Sequence, residues 1–348
     1  MAKYLRYITV ILVIVLMSAA LNISAAATDF HVKPILPDNQ RQNGSTFFDL
    51  LVTPGQQQEL FIEISNLSEN DIIVMVEILT ASTGRNGLIN YTSKGEMDES
   101  LKFLFEDIAS LQQNQYEVPA GVSMEVAINL RVPNEVFEGA ILGSIRVLRE
   151  VLQEELDDEG GNTNRFASVT AVRLVQSDNA EDIQPEFLLG EIKAVSIYYK
   201  ASIIVPIRNT QPRIVQGASA AARIYPKGSN DLILEQKFDK IDFAPNSIFP
   251  LSFIDEAGYE LSVGDYTAIV DVTFGNQTWN FKQDFVFTEQ ATIEVVENAP
   301  NYGGERSNQE QGFTTWMWYA IAGGAAIVIA AVGLYILLTR RRRAFPRF

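Results

Sequence analysis

The chain has 348 residues, with 27 Lys+Arg against 43 Asp+Glu, one His, no Cys and a formal net charge of −16. That length accommodates two domains of about 100–150 residues with terminal segments to spare. The acidity argues against nucleic acid, whose phosphates need clustered Lys and Arg. The missing cysteines exclude disulfides, thiolate zinc sites and a Cys nucleophile, and a lone histidine makes a Ser-His triad or multi-His metal site improbable.

Lys3 and Arg6 precede an apolar run from Ile8 to Leu21, followed by Ser24, Ala25, Ala26 and Ala27. A charged start, an apolar middle and a small-residue end predict a secretory signal peptide over residues 1–27. Period-two alternation begins after it. Leu60, Ile62 and Ile64 alternate with Phe61, Glu63 and Ser65; Met124, Val126, Ile128, Leu130 and Val132 face away from Glu125, Ala127, Asn129 and Arg131. This is the pattern of strands with one buried face. Turn formers such as Pro54-Gly55, Asn86-Gly87 and Pro119-Ala120-Gly121 punctuate the runs. One helical stretch is expected at Leu101, Leu104, Phe105 and Ile108, capped by Asp98. His31, between Phe30 and Val32, reads as a surface strand residue. Residues 28–149 are therefore predicted to form an immunoglobulin-like β-sandwich.

Glu150 to Gly161 holds six carboxylates. The stretch 150–164 reads as an acidic linker between domains, with the tip of a long hairpin as the alternative. It lacks the spacing and turn glycine of an EF-hand, so calcium is not expected there. A second sandwich follows over 165–297, with alternation at Ala201, Ile203, Val205 and Ile207 and again at Tyr266, Ala268, Val270, Val272 and Phe274. Trp279, Phe281, Phe285 and Phe287 share one face of its closing strand. The fold class expected is all-β, two tandem immunoglobulin-like sandwiches followed by one C-terminal transmembrane helix.

Residues 298–315 are rich in Asn, Gln, Gly and Glu and read as a flexible stalk. Residues 316–338 then run for 23 positions without a charge, about 34 Å as a helix and enough to cross a bilayer core of about 30 Å. Trp316, Trp318 and Tyr319 stand where aromatic rings favour the headgroup layer. Arg340, Arg341, Arg342 and Arg343 open the tail 339–348 and hold it in the cytoplasm by the positive-inside rule. The expected placement is single-pass in the cell membrane, N-terminus outside. With two bases in the signal and five in the tail, the exported part keeps 20 bases against 43 acids, a net of −23. An exterior this acidic stays soluble and repels anionic polymers. The N-x-[ST] triplets at Asn43, Asn66, Asn90 and Asn276 read as chance matches.

Ordered motifs carry a resemblance. Phe30-x-Val32-x-Pro34-x-x-Pro37-x-Asn39-Gln40 and Phe48-Asp49-Leu50-x-Val52-x-Pro54-Gly55 resemble the opening of the WxL-interacting proteins of Gram-positive bacteria. Ala81-x-Thr83-x-x-Asn86-Gly87-x-Ile89-x-Tyr91 and Pro133-x-x-x-Phe137-x-Gly139-x-x-x-Gly143 continue it. Ala244-Pro245-Asn246-Ser247, Gly264-x-Tyr266 and Trp279-x-Phe281 are similar to that family's second domain. Gly84 departs from the pattern, which leads one to expect Asn after the Thr. The resemblance implies a noncatalytic surface protein without cofactors. Its first domain would bind peptidoglycan, its second a host extracellular-matrix protein, and it would work beside a WxL-domain surface protein in the wall space.

Sugars are recognised by an aromatic face against their C–H surface and by amides against hydroxyl and N-acetyl groups. Asn86, Asn90 and Tyr91 beside one turn, and the amide pair Asn39 and Gln40, are the candidate glycan contacts. The structural alternative makes Asn86-Gly87 a hairpin turn, Tyr91 a packing residue and Asn39-Gln40 a cap on backbone groups. Two further functions fit a sandwich protein of this kind. One is an extracytoplasmic assembly chaperone for exported proteins; the other is a wall-modifying carbohydrate enzyme using paired carboxylates.

Overall fold

The structure is a computed structural model that describes residues 29–41, 45–150, 167–197, 200–254 and 263–287. The signal peptide, the acidic stretch beyond Glu150, the stalk, the apolar run 316–338 and the arginine tail lie outside the described residues. Among the described residues no helix is long and apolar enough to cross a membrane.

The chain is all-β. The first sandwich contains β1 (Phe30–Ile35), β2 (Phe48–Leu51), β3 (Gln57–Asn66), β4 (Ile72–Thr80), β5 (Ser82–Thr83), β6 (Ile89–Asn90), β7 (Ala109–Ser110), β8 (Gln115–Val118), β9 (Ser123–Arg131), β10 (Ala140–Arg149) and β11 (Ala167–Val175). One sheet runs β1-β3-β9-β7, the other β2-β11-β10-β4-β8, and β5–β6 form a separate ribbon. Every pairing is antiparallel except β2 with β11. The predicted alternation holds: Leu60, Ile62 and Ile64 of β3 and Val126, Ile128 and Leu130 of β9 are all buried in one core with Val74, Val76, Ile145 and Val147 of the opposite sheet.

Two expectations change here. β11 pairs with β10 from Ala140↔Val175 to Leu148↔Ala167, and its Val172 and Leu174 lie in the first core. β11, which follows the boundary expected at 165, therefore packs with the first sandwich and not with the second. In sequence the acidic stretch separates the paired strands β10 and β11, and its residues beyond Glu150 lie outside the described ones. The second change concerns the helix. Of the stretch expected to be helical, Phe105–Ile108 (α1) is, and no side chain of its own segment caps it. The cap comes from a neighbouring strand: Thr80 Oγ1 accepts the Phe105 N–H at 2.8 Å. Phe105 is wholly buried, and a Cβ on Gly143 would stand 2.1 Å from its ring. The turn exists to seat that ring, so tertiary packing limits the helix that local spacing favours.

The second sandwich contains β12 (Phe187–Leu189), β13 (Lys193–Ile197), β14 (Lys200–Asn209), β15 (Val215–Pro226), β16 (Leu234–Phe243), β17 (Ser247–Ile254), β18 (Gly264–Phe274) and β19 (Gln277–Phe287). In one sheet β14 pairs with β12 and β13 and, separately, with β17; the other runs β16-β15-β18-β19. β15 supplies Ala218, Ala220 and Ala222 to a core that also holds Phe187, Phe243, Phe249, Phe253, Phe285 and Phe287. Small residues on one strand leave volume for rings from others. Phe187 and Phe243 lie 4.8 Å apart, and Phe249 meets Phe238 edge-on at 5.0 Å, within the range where aromatic quadrupoles attract.

Candidate functional site

The amide pair in the opening loop serves the backbone. Asn39 Nδ2 donates to Leu51 O at 3.0 Å, while Gln40 Nε2 donates to Phe47 O and its Oε1 accepts the Asp49 N–H, both at 3.1 Å. Together with the bonds Arg41 N–H to Asp49 O and Leu51 N–H to Asn39 O, they cover the outer edge of β2. An unpaired strand edge is a template for other chains, and this loop closes it. Arg41 also sits 3.4 Å from the buried Asp49.

The second candidate group is likewise engaged. Asn86 Oδ1 accepts the Leu88 N–H at 3.1 Å, closing the β5–β6 turn. Asn90 Nδ2 donates to Ser93 O and Ser93 Oγ, and its Oδ1 accepts from the Thr92 N–H and hydroxyl. Tyr91 packs on a small cluster of Ala81, Leu142 and Ala244 with Ile89 and Ile214. Burial pushes its phenol pKa up, an effect partly opposed by Arg173 and reinforced by Asp242. The geometry of all five residues matches the turn, cap and packing roles.

That cluster draws from both sandwiches, and the motifs of the chain converge around it. Gly87, at φ +75°, has its carbonyl accepting the Asp242 N–H at 2.7 Å. Thr83 Oγ1 accepts the Ala244 N–H at 3.0 Å and lies 2.6 Å from Ser247 Oγ. Gly139, at φ +72°, comes so near the second sandwich that an added Cβ would lie 1.9 Å from Pro212 O. No other residue type combines that left-handed conformation with that clearance. Asn246 Nδ2 donates across the same joint to Ser100 Oγ at 2.8 Å and, within the second sandwich, to Thr210 O at 3.1 Å.

An ion pair locks the joint. Arg208 Nε lies 2.5 Å from Asp98 Oδ2, and its Nη2 lies 2.6 Å from Glu99 Oε1. Asp98, expected as a helix cap, has no solvent-exposed side-chain surface. Burial alone would raise its pKa, but the hydrogen bonds from Arg208 and Ser100 outweigh that and hold it below the usual carboxylate value. Arg208 is raised in turn, chiefly by its bond to Asp98.

Beside this joint lies a cleft of 490 Å³ between the 100–103 and 135–141 segments and the second sandwich. Phe103 and Phe137 form its aromatic wall, with ring centroids 6.3 Å apart at 58°. Lys102, Glu135 and Glu138 line it as well, and Val136 is 80% exposed. Gln176, directly after β11, pins the wall: its Oε1 accepts the Phe137 N–H at 3.1 Å and its Nε2 donates to Glu135 O at 3.4 Å. Neither ring was among the sequence candidates. The available signal was two phenylalanines on non-alternating segments; both also pack against the first core. The anchor candidates Trp316, Trp318, Tyr319 and Arg340 to Arg343 lie outside the described residues.

Among the described residues the fold is two all-β sandwiches that meet at the joint around Thr83, Gly139 and Asn246. A family profile described as WxL Interacting Protein, peptidoglycan binding domain, matches residues 30–149, and one described as WxL Interacting Protein, host binding domain, matches residues 158–296. The chain belongs to the WxL-interacting protein family. Both matched domains are binding domains, not catalytic ones. The second match begins upstream of β11, a strand whose partners nevertheless lie in the first sandwich. No curated protein matches the chain. Among solved structures, the YadV chaperone is 8% identical, covering 75% of this chain and 100% of its own, with a TM-score of 0.29. The Pseudomonas aeruginosa CupB2 chaperone is 12% identical, covering 66% and 93%, with a TM-score of 0.26.

Proposed function

We propose that the chain is a noncatalytic surface adaptor of a Gram-positive bacterium, held in the cell membrane by residues 316–338 with its sandwiches outside. The first sandwich binds peptidoglycan, the second binds a host extracellular-matrix protein, and a WxL-domain protein is a partner in the wall space. The observation that carries this reading is the succession of the two family binding domains along one chain. The charge-free run and its arginine stop support the anchor.

The wall ligand is assigned to the cleft. Peptidoglycan combines saccharide rings with stem peptides that bear amines and carboxylates. Phe103 and Phe137 offer ring faces, Glu135 and Glu138 face amines, and Lys102 faces a carboxylate. Asn39, Gln40, Asn86 and Asn90 hydrogen-bond within the chain, which supports placing the ligand on the aromatic wall ahead of these amides.

Co-sedimentation with purified peptidoglycan tests this. A fragment ending at Arg149 would remove β11 from the middle of its sheet, so the assay uses residues 28–302 intact. Phe137→Ala is expected to lower the pelleted fraction about tenfold in affinity, the equivalent of about 1.4 kcal/mol. Undiminished pelleting of a Phe103→Ala, Phe137→Ala double variant would remove the cleft from the reading. Absence of pelleting by the unaltered protein would remove peptidoglycan itself.

A further inference from the structure

The second sandwich has a groove of its own, 690 Å³ in volume, where the start of β19 meets the loop leading into β12. Its lining includes Gln184, Glu186, Gln211, Gln277, Thr278 and Trp279. The volume lies within the range of small-molecule sites. Among the described residues that line it there is no Lys or Arg, so it offers nothing to a phosphate or sulfate. Ile183 and Pro185 complete the lining, so three amides, a hydroxyl and one carboxylate surround the indole beside a smaller apolar surface, a mixture that suits an amphipathic guest.

The indole is held ready. Trp279 meets Phe187 edge-on at 5.0 Å and 84°, and Phe187 in turn packs on the wholly buried Phe243 at 4.8 Å. This chain of rings ties a half-exposed indole to the core, so little conformational freedom is lost when something stacks on it. Glu186 is fixed as well: its Oε2 accepts from Gln211 Nε2 at 2.8 Å and Thr210 Oγ1 at 3.0 Å. That arrangement orients the Gln211 amide and leaves Glu186 Oε1 and the Gln211 carbonyl oxygen as acceptors. Gln184, Gln277 and Thr278 are exposed and add both donors and acceptors.

We propose that this groove is a saccharide-binding site on the second sandwich, in which a sugar ring stacks on Trp279 and its hydroxyls bond to Glu186, Gln211 and Gln277. The ligand class is a neutral oligosaccharide, whose C–H face suits the indole and whose alternating hydroxyl donors and acceptors suit the amides. The site is separate from the Phe103–Phe137 cleft and stands or falls independently of peptidoglycan binding.

Trp279 reports on itself once Trp316 and Trp318, the other two tryptophans of the chain, are changed to Phe. The full-length W316F, W318F protein, in a detergent without a sugar headgroup, is titrated with tetrasaccharides of glucose, galactose, mannose and N-acetylglucosamine. A saturable change in indole emission with at least one of them is expected. Gln277→Ala and Gln211→Ala should each raise the half-saturating concentration about fivefold, while Phe137→Ala in the cleft leaves it unchanged. No emission change with any of the four sugars overturns the proposal, as does a response indifferent to both glutamines. A response to an extended polar peptide but to no sugar also overturns it, in favour of strand addition along β19.

Discussion

The two sandwiches share an architecture and reach it by different packing. The first fills its interior with Ile, Val and Leu from alternating positions, and few of its buried residues are rings. The second sets alanines of β15 in one core with six buried phenylalanines. Their edges differ in the same sense. In the first, β7 has two residues, β8 has four, and the edge of β2 is covered by the Asn39–Arg41 loop. In the second, the outer strands β16 and β19 run for 10 and 11 residues. β16 carries Glu235, Lys237, Asp239 and Lys240, charges that discourage edge-to-edge pairing, whereas the start of β19 borders the Trp279 groove. A core distributed over many medium side chains tolerates local loss; one concentrated in a few rings does not.

The largest expected effect tests that contrast directly. Phe243→Ala removes a ring that touches both Phe187 and Phe249 and should cost about 3–5 kcal/mol, against about 0.5–1.5 kcal/mol for Ile62→Val in the first core. Chemical denaturation followed by far-ultraviolet circular dichroism, which reports on the strands of both sandwiches, measures both. Equal costs would mean that the cavity left by Phe243 collapses so fully that losing a ring costs no more than losing one methyl in the first core. Next in size is Gly139→Ala, which combines a left-handed φ with a Cβ driven onto Pro212 O. About 2–4 kcal/mol is expected, read as a larger radius of gyration in X-ray scattering as the sandwiches part. An unchanged radius would show that the joint does not depend on this contact.

Strand positions were legible in the sequence because a half-buried strand must alternate, and β3, β9 and β18 alternate where expected. Pairing was not legible. Periodicity says which face of β11 is buried but not which strand lies beside it, so an acidic stretch between two paired strands looks the same as a linker. Asp98 has the spacing of a helix cap, yet its partner Arg208 is 110 positions away, and no local pattern announces such a contact. The motifs around Thr83, Gly139 and Asn246 could be quoted in order along the chain. Their convergence on one joint is a property of the folded molecule alone.

The Asp98–Arg208 pair gives the joint a pH dependence. The Asp98 carboxyl is held below its ordinary value in the folded chain, so its contribution is fully present above an unfolded pKa of about 3.9 and is lost as pH falls through the folded value. Asp98→Asn should cost about 1–3 kcal/mol near neutrality, and the gap to the unaltered protein should close in acid below about pH 4. Thermal unfolding across pH measures it. A gap that persists at low pH would place the stabilisation in hydrogen-bond geometry and not in charge.

The smallest expected effect separates the turn from the cleft. Asn86 is exposed and supports its turn through one side-chain bond to Leu88 N–H. Asn86→Ala should therefore lower stability by about 0.5 kcal/mol and leave peptidoglycan pelleting unchanged, while Phe137→Ala lowers pelleting with the fold intact. The reverse result would mean that the amide works on the ligand from the joint's hairpin and that the aromatic wall of the cleft is only packing. Because Asn86 adjoins Gly87, whose carbonyl bonds across the joint to Asp242, such a result would also make domain docking and wall binding one coupled event, with wall fragments stabilising the joint in proportion to their affinity.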